Sequence, residues 1–206
     1  MSYNFYPAPV YKFGSYIDYF AKEMEKKILD CGAGGKKPPL AMFNELGFET
    51  HGIEISDEQI KLAEEFIQKN NMQIDIIKGD IRELPYEDES FSFVYSYNTI
   101  FHLTKKDIKK AITEVRRVLR KDGLFFVNFM SMDDKYYGEG KKIGKGEFVL
   151  VNEEGQERYR TFFETQEVKD YFDSFDFLLL ENRHIRMPTI WKDYEASYID
   201  CIVKRK

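Results

Sequence analysis

Cysteine is scarce: only Cys31 and Cys201 occur among 206 residues, far apart in the chain. That excludes a disulfide framework and the paired-cysteine spacing of a structural zinc site. The three histidines, His51, His102 and His184, are scattered as well, so no metal site is expected. No apolar run approaches the ~18 residues needed to cross a bilayer. The opening MSYNFYPAPV lacks the charged-then-apolar layout of a secretion signal. Positive charge is not in excess either. The formal net charge of −5 disfavours a general nucleic-acid binder, because a phosphate backbone rewards basic surfaces. A local basic patch stays open. Together these absences point to a cytoplasmic protein with no membrane partner.

Core-forming material, by contrast, is plentiful. The chain is 43% hydrophobic and 16% aromatic, richer in both than a disordered chain. Its length suits one domain over 1–206. Residues 15–26, SYIDYFAKEMEK, predict a helix, and KKILDC a strand. Pro38 and Pro39 suit the first turn of a helix that runs through LAMFNEL and stops near Gly47. FETHGIEI is a second strand. Ser56 and Gln59 form a capping-box pattern before a helix at 57–69, whose Ile60, Ala63, Phe66 and Ile67 share a face. MQIDIIKGD and FSFVYSYN are the third and fourth strands. Thr104 with Asp107 matches another capping box, opening a helix striped by Ile108, Ile112, Val115 and Leu119. Asp122–Gly123 reads as a turn before a fifth strand, LFFVNFM. This alternation implies a parallel sheet with helices on both faces.

Beyond residue 130 the pattern changes. Residues 131–164 are rich in glycine and charge, with a hairpin expected in EFVLVNEEGQERYRTFFE. Thr165 is read as the cap of a helix, TQEVKDYFDSF. FLLLENRHIR and SYIDCIVKRK, joined by MPTIWKDYEA, then read as an antiparallel pair.

The chemistry concentrates in ILDCGAGGKKPPLAMF, residues 28–43. A phosphate-binding loop G-x-x-x-x-G-K-[ST] fails twice: Lys37 stands where the hydroxyl belongs, and Asp30 where the first glycine belongs. The dinucleotide fingerprint is met by Gly32 and Gly34 only. The acids say more. Asp30, Glu54 and Asp80 follow three successive strands, and in a parallel sheet ligands bind outside those strand ends. Glu54 lies where an acid can take both ribose hydroxyls. Asp80 can accept from an adenine amino group, with Ile81 against the ring. Asp30 is a poor neighbour for a pyrophosphate and suits a cationic group. S-adenosylmethionine meets these demands: it carries adenosine, an ammonium, a carboxylate and a sulfonium, and no phosphate. Loop N–H groups are expected to hold the carboxylate, and Asp30 the ammonium, directly or through water.

ILDCGAGG, HGIEIS, GDIRELPYEDESFSFVYS, NTIFHL and EVRRVLRKDGLFFVNF, in that order, resemble the class I S-adenosylmethionine-dependent methyltransferases, in particular the small-molecule type 11/25 group. The resemblance covers residues 28–130, about half the chain. It implies an α/β fold: a three-layer, doubly wound, seven-stranded, mostly parallel sheet, Rossmann-like, with an antiparallel C-terminal strand. The single domain would divide into a helical or lid segment (1–26), a cofactor-binding core (27–130), a substrate lid insertion (131–164) and a closing helix and strand pair (165–206). Carried over residue by residue, Asp30, Gly32 and Gly34 match the cofactor loop. Glu54 matches the ribose acid with Ile55 beside it, Asp80 and Ile81 the adenine site, and Tyr97 a position near the methionine part. Lys36 replaces the usual third glycine, and Lys121–Asp122–Gly123 the usual proline–glycine turn.

Methyl transfer to an activated methyl group asks mainly for alignment and exclusion of water. A base helps only when the nucleophile holds a proton. His102 is the candidate catalytic base, with a structural role at the cleft mouth as the alternative. His51 and His184 lie within strands. YNTIF lacks the prolines of the [DNS]PP[YF] pattern found in methyltransferases of base and amide nitrogens. Tyr3, Phe5, Tyr6, Tyr11, Phe13, Tyr16 and Tyr19 crowd the N-terminus, either over the cofactor, where π faces attract a sulfonium, or as an edge of the core. In the 131–164 segment, Arg158 and Arg160 can meet an anionic substrate or stand as exposed strand residues. Lys105, Lys106, Lys109, Lys110, Arg116, Arg117, Arg120 and Lys121 make a basic helix, read as a solvated face.

The expected activity is in-line methyl transfer from S-adenosylmethionine to a small-molecule acceptor, oxygen or carbon before base nitrogen, releasing S-adenosylhomocysteine, by a monomer or homodimer. The alternatives are an RNA or protein methyltransferase, a non-catalytic S-adenosylmethionine-binding protein and, from fold alone, a nicotinamide oxidoreductase.

Overall fold

In the computed structural model, residues 5–152, 154–187 and 194–206 are described. Tyr3 and most of the connector MPTIWKDYEA lie outside them. The first half alternates as expected: α1 (Ala8–Phe20), β1 (Lys27–Cys31), α2 (Leu40–Glu45), β2 (Glu49–Glu54), α3 (Asp57–Lys69), β3 (Asp75–Lys78), β4 (Phe91–Ser96), a 3-10 turn (Ile100–His102), α4 (Lys105–Val118) and β5 (Leu119–Ser131). The second half adds β6 (Lys141–Gly144), β7 (Glu147–Val151), β8 (Glu157–Phe163), α5 (Thr165–Lys169), β9 (Phe175–Met187) and β10 (Tyr194–Arg205).

The main sheet runs β3-β2-β1-β4-β5-β10-β9. The first five strands are parallel. β10 is antiparallel to both β5 and β9. This is the seven-stranded arrangement expected, with β10 the antiparallel member. The far end of β5 also pairs in parallel with β8 through Met130–Phe162 and Ser131–Phe163. β8, β7 and β6 continue as an antiparallel three-stranded arm, one strand more than the hairpin expected.

Strand alternation divides the core into two layers. Leu29 and Cys31, Val94, Phe125, Val127 and Phe129 face one side, with α4 and α5. Ile28, Phe93, Tyr95, Leu124 and Phe126 face the other, with α1 and α2. Buried side chains of this size each contribute roughly 1.5–3 kcal/mol, so both layers are substantial.

Several element boundaries differ from expectation: Leu119, expected in the stripe of the fourth helix, opens β5 instead, and the helix expected over TQEVKDYFDSF ends at Lys169. The first helix spans Ala8–Phe20 rather than 15–26. Pro9 sits harmlessly in its first turn, and Val10, Phe13 and Ile17 form the buried stripe. Phe13 packs on Phe43, Tyr95 and Phe126 at centroid distances of 5.7–6.3 Å. Thr165 does not cap α5; Glu164 holds that position, and the Thr165 hydroxyl donates to Asn182 Oδ1 at 2.7 Å. Asp122–Gly123 lies inside β5, where Asp122 takes φ +63° and the β4–β5 register shifts. At Ser56 and Thr104 the cap hydroxyls accept from the Gln59 and Asp107 N–H groups as expected, while the Ser56 N–H goes to Glu54 Oε1 rather than to Gln59.

Candidate functional site

Outside the C-terminal ends of β1–β4 lies a cleft of about 720 Å³, well within the size range of ligand pockets. Gly32, Gly34, Glu54, Ile55, Asp80, Ile81, Tyr97 and His102 all line it, so eight of the nine residues singled out from sequence meet in one place. The ninth, Asp30, does not line the cleft. It is 1% exposed, one layer below the loop, beside its β4 register partner Tyr95.

Burial pushes the Asp30 carboxyl up to about 8, Tyr95 opposes the shift, and Glu54 adds to it. Asp30 Oδ2 and the Tyr95 hydroxyl are buried without a hydrogen-bond partner among the described residues. A buried acid beside the loop, with Tyr95 acting on it and Oδ2 left without a bond of good geometry among the described residues, keeps capacity for a cationic group.

The loop is shaped by close approach. At Gly32, φ is +115° and a Cβ would sit 2.0 Å from Thr99 Oγ1. At Gly34 a Cβ would meet Gln59 Cβ at 2.6 Å and Glu54 Oε2 at 2.9 Å. Neither position admits a side chain. The expectation that loop N–H groups hold a carboxylate is narrowed by the bonds actually made. The Gly32 and Ala33 N–H groups donate to the Ile53 carbonyl at 2.8 and 3.1 Å, and Gly35 N–H donates to the Gln59 carbonyl at 2.9 Å. Lys37 turns away from the cleft, its ammonium donating to the Phe5 carbonyl at 2.9 Å and lying 4.1 Å from the Tyr6 ring centroid.

Glu54 is held by its own turn: Oε1 accepts from the Ile55 and Ser56 N–H groups, both at 2.9 Å. That fixes its rotamer beside Gly34. Asp80 accepts from Arg82 Nε at 2.9 Å and from the Arg82 N–H at 2.8 Å. The Arg82 bonds hold its carboxyl below the usual range. The sequence did not disclose this partnership, although an acid two residues before an arginine is its simplest signal. Ile81 is buried beside it.

A second unforeseen residue is Asn128, fully buried on β5. Its Oδ1 accepts from the Asn98 N–H and its Nδ2 donates to Asn98 Oδ1, both at 2.7 Å. This fork holds Asn98 at φ +56°, a conformation asparagine tolerates better than most residues. It thereby presents Tyr97 and Thr99 to the cleft. Tyr97 stacks on Phe126 at 6.3 Å.

The arm supplies the opposite wall through Glu157, Arg158 and Tyr159. Thr161 Oγ1 donates to the Leu103 carbonyl at 2.6 Å. Glu147 Oε1 accepts from the Lys105 N–H at 2.8 Å, at the start of α4. His102 Nδ1 lies 3.2 Å from the Tyr159 carbonyl. A carbonyl only accepts, so Nδ1 carries the proton and a neutral ring keeps its lone pair on Nε2. Loss of hydration lowers the His102 pKa, the Tyr159 bond opposes this, and Arg158 and Arg160 lower it further. The shift favours the neutral ring that a base requires.

Other candidates stay outside the cleft. No described aromatic residue of 5–20 lines it. His51 lies 2.8 Å from Glu49 Oε1, and His184 Nδ1 lies 2.7 Å from Ser197 Oγ. On α4, Lys105 pairs with Glu167, Lys110 with Asp107, and Arg117 with Glu114 and Asp88. Just past it, Arg120 pairs with Glu25. Among the described residues no cluster able to hold a metal ion occurs, and no helix is long and apolar enough to cross a membrane.

Residues 29–127 match the family model described as "Methyltransferase domain". A sterol 24-C-methyltransferase of Saccharomyces cerevisiae is 32% identical over 108 residues, 52% of this chain and 27% of that protein. The uncharacterized methyltransferase YcgJ of Bacillus subtilis is 32% identical over 104 residues, 50% of this chain and 40% of that protein. The matched region is thus well under half of either relative's length. Among solved structures, a SAM-dependent methyltransferase of Methanosarcina mazei superposes with TM-score 0.77 at 19% identity, covering 98% of this chain and 99% of that one. The 1,6-didemethyltoxoflavin-N1-methyltransferase of Burkholderia thailandensis, solved with S-adenosylhomocysteine, superposes with TM-score 0.62 at 15% identity, covering 97% and 79%.

Proposed function

We propose, from the match of residues 29–127 to the methyltransferase-domain family model, that this chain is a class I S-adenosylmethionine-dependent methyltransferase and that it transfers the methyl group of S-adenosylmethionine to a small-molecule acceptor in the cleft above β1–β4. The observation that carries this reading is the convergence of Gly32, Gly34, Glu54, Asp80, Ile81 and Tyr97 on one cavity wall. The fit is specific. Two glycines let the loop pass close against Thr99, Gln59 and Glu54, a rotamer-locked Glu54 is set for the ribose, and the buried carboxyl of Asp30 suits an ammonium.

When bound, S-adenosylmethionine supplies a methyl group on a sulfonium, whose C–S bond breaks as the acceptor lone pair attacks and whose electrons return to sulfur. The protein's part is placement. Glu54 Oε2 is left to receive ribose hydroxyls. Asp80 and Ile81 take the adenine edge and face. Asn128, through Asn98, holds Tyr97 at the methionine end. His102 Nε2 receives the proton of an acceptor O–H or N–H; a carbon nucleophile without an acidic proton would leave it idle. A small acceptor is favoured because the arm adds a second wall to the cleft and the formal net charge of −5 is unsuited to an RNA backbone.

Calorimetric titration with S-adenosylmethionine, S-adenosylhomocysteine, NAD and ATP tests the reading. The first two are expected to bind, and Glu54→Ala to weaken both by about 1–3 kcal/mol, the usual loss when a buried hydrogen-bonding group goes unmatched. Binding of NAD or ATP alone would overturn it. Binding with no product across a broad acceptor panel would favour the non-catalytic alternative.

A further inference from the structure

The charges lining the cleft are not evenly shared. Glu54, Glu58 and Asp80 stand on the β2–β3 side, and Glu157 on the arm. Arg158 is the one arginine or lysine lining the cavity among the described residues. Its neighbour two positions on, Arg160, is occupied: its guanidinium bonds Glu139 Oε2 at 2.9 Å and lies 4.8 Å from the Tyr136 ring centroid. Arg158 makes no ion pair among the described residues, although acids surround the cavity. The backbone groups that would otherwise serve an anion here are largely committed, since Gly32, Ala33 and Gly35 donate within the protein. The arm that carries Arg158 is fixed rather than loose. Phe148, Phe162 and Tyr137 pack edge to face at 5.4–5.8 Å, and β8 is tied to the 3-10 turn by the Thr161 and His102 contacts. An unpaired guanidinium in a concave, rigidly walled site is suited to bidentate capture of a carboxylate.

We propose that Arg158 is the carboxylate-binding residue of the cleft, receiving a ligand carboxylate on the arm side, opposite Glu54. This rests on the methyltransferase reading. Two ligands bring that chemistry: the amino-acid end of the methyl donor, and an acceptor that is itself an acid. In either case the guanidinium holds a carboxylate beside His102, at the methyl-transfer end of the cavity.

Calorimetry on wild type, Arg158→Ala and Arg158→Lys separates the sources. S-adenosylhomocysteine carries the donor's carboxylate, and 5′-methylthioadenosine lacks it. If Arg158 holds the donor, the alanine variant loses at least tenfold affinity for S-adenosylhomocysteine and none for 5′-methylthioadenosine. If it holds the acceptor, both nucleosides bind as before. Then 4-hydroxybenzoate, added to the S-adenosylhomocysteine complex, binds wild type at least tenfold more tightly than the alanine variant, and its methyl ester shows no such difference. Lysine is expected to recover only part of either loss, because it keeps the charge without the fork. Arg158 is exposed and unpaired, so unchanged melting temperatures are expected and report intact folding. If Arg158→Ala changes neither affinity while wild type binds S-adenosylhomocysteine, the proposal is overturned. If wild type binds neither nucleoside, it is the methyltransferase reading that fails.

Discussion

Asp30 illustrates how a site residue can oppose the fold that holds it. Its folded pKa of about 8 lies far above the ordinary 3.8, so between those values the native state binds more protons than the unfolded chain. Stability therefore falls as pH rises from about 4 to about 8, and the contribution of the protonated form is gone above that. Asp30→Asn keeps the shape and removes the titration. It is expected to melt higher than wild type at pH 7–9 by at least about 2–4 °C, the shift per kcal/mol for a chain of this size, with the gap closing towards pH 4. Thermal melts across that range check it, and a gap that widened on acidification would refute the account. The same variant should bind S-adenosylmethionine more weakly, a trade of stability against function. Individual residues at strand ends were legible in the sequence because a parallel sheet delivers every such end to one crevice. Depth was not legible: nothing local in ILDC says that Asp30 lies under the loop while Glu54 lies beside it. Nor do Asn128 and Arg82 announce themselves, since their value comes from the partners they reach.

Among the elements, the periodic ones were read well and the docked ones poorly. α4 shows its stripe and its cap within a dozen residues, so its Thr104 box and buried Ile108, Ile112 and Val115 could be read directly. β6 carries a single apolar residue, the exposed Ile143, in KKIG and exists because β7 offers an edge. The arm as a whole depends on long-range contacts, of which Glu147 to the first turn of α4 is the clearest. That carboxylate meets the Lys105 N–H at the positive end of the α4 dipole. Glu147→Ala is expected to cost about 1–2 kcal/mol, as for loss of a charge-assisted bond at a helix start. Hydrogen exchange should rise across 141–163 while β1 and β4 stay protected. Uniform loss of protection would mean that the arm is part of the central cooperative unit.

For the molecule as a whole, the decisive feature is that β10 lies between β5 and β9. It makes seven registered pairs with β5 and twelve with β9, and it buries Ile199, Cys201, Ile202 and Val203 completely. A chain cut after residue 193 is expected to lose cooperative thermal unfolding and to aggregate, because both former partners become bare edges. Soluble, cooperative behaviour of that truncation would show that β1–β5 form a self-sufficient sheet. There is a temporal side to this arrangement. Every described residue that lines the cleft precedes residue 160, so a ribosome finishes this part of the site well before it makes the strand that closes the sheet. At about 5–20 residues per second, β5 waits on the order of ten seconds beside an empty seat. During that interval the nascent chain is open to any extended segment that reaches it first, and a holding chaperone or an early-bound nucleoside would have its greatest effect then.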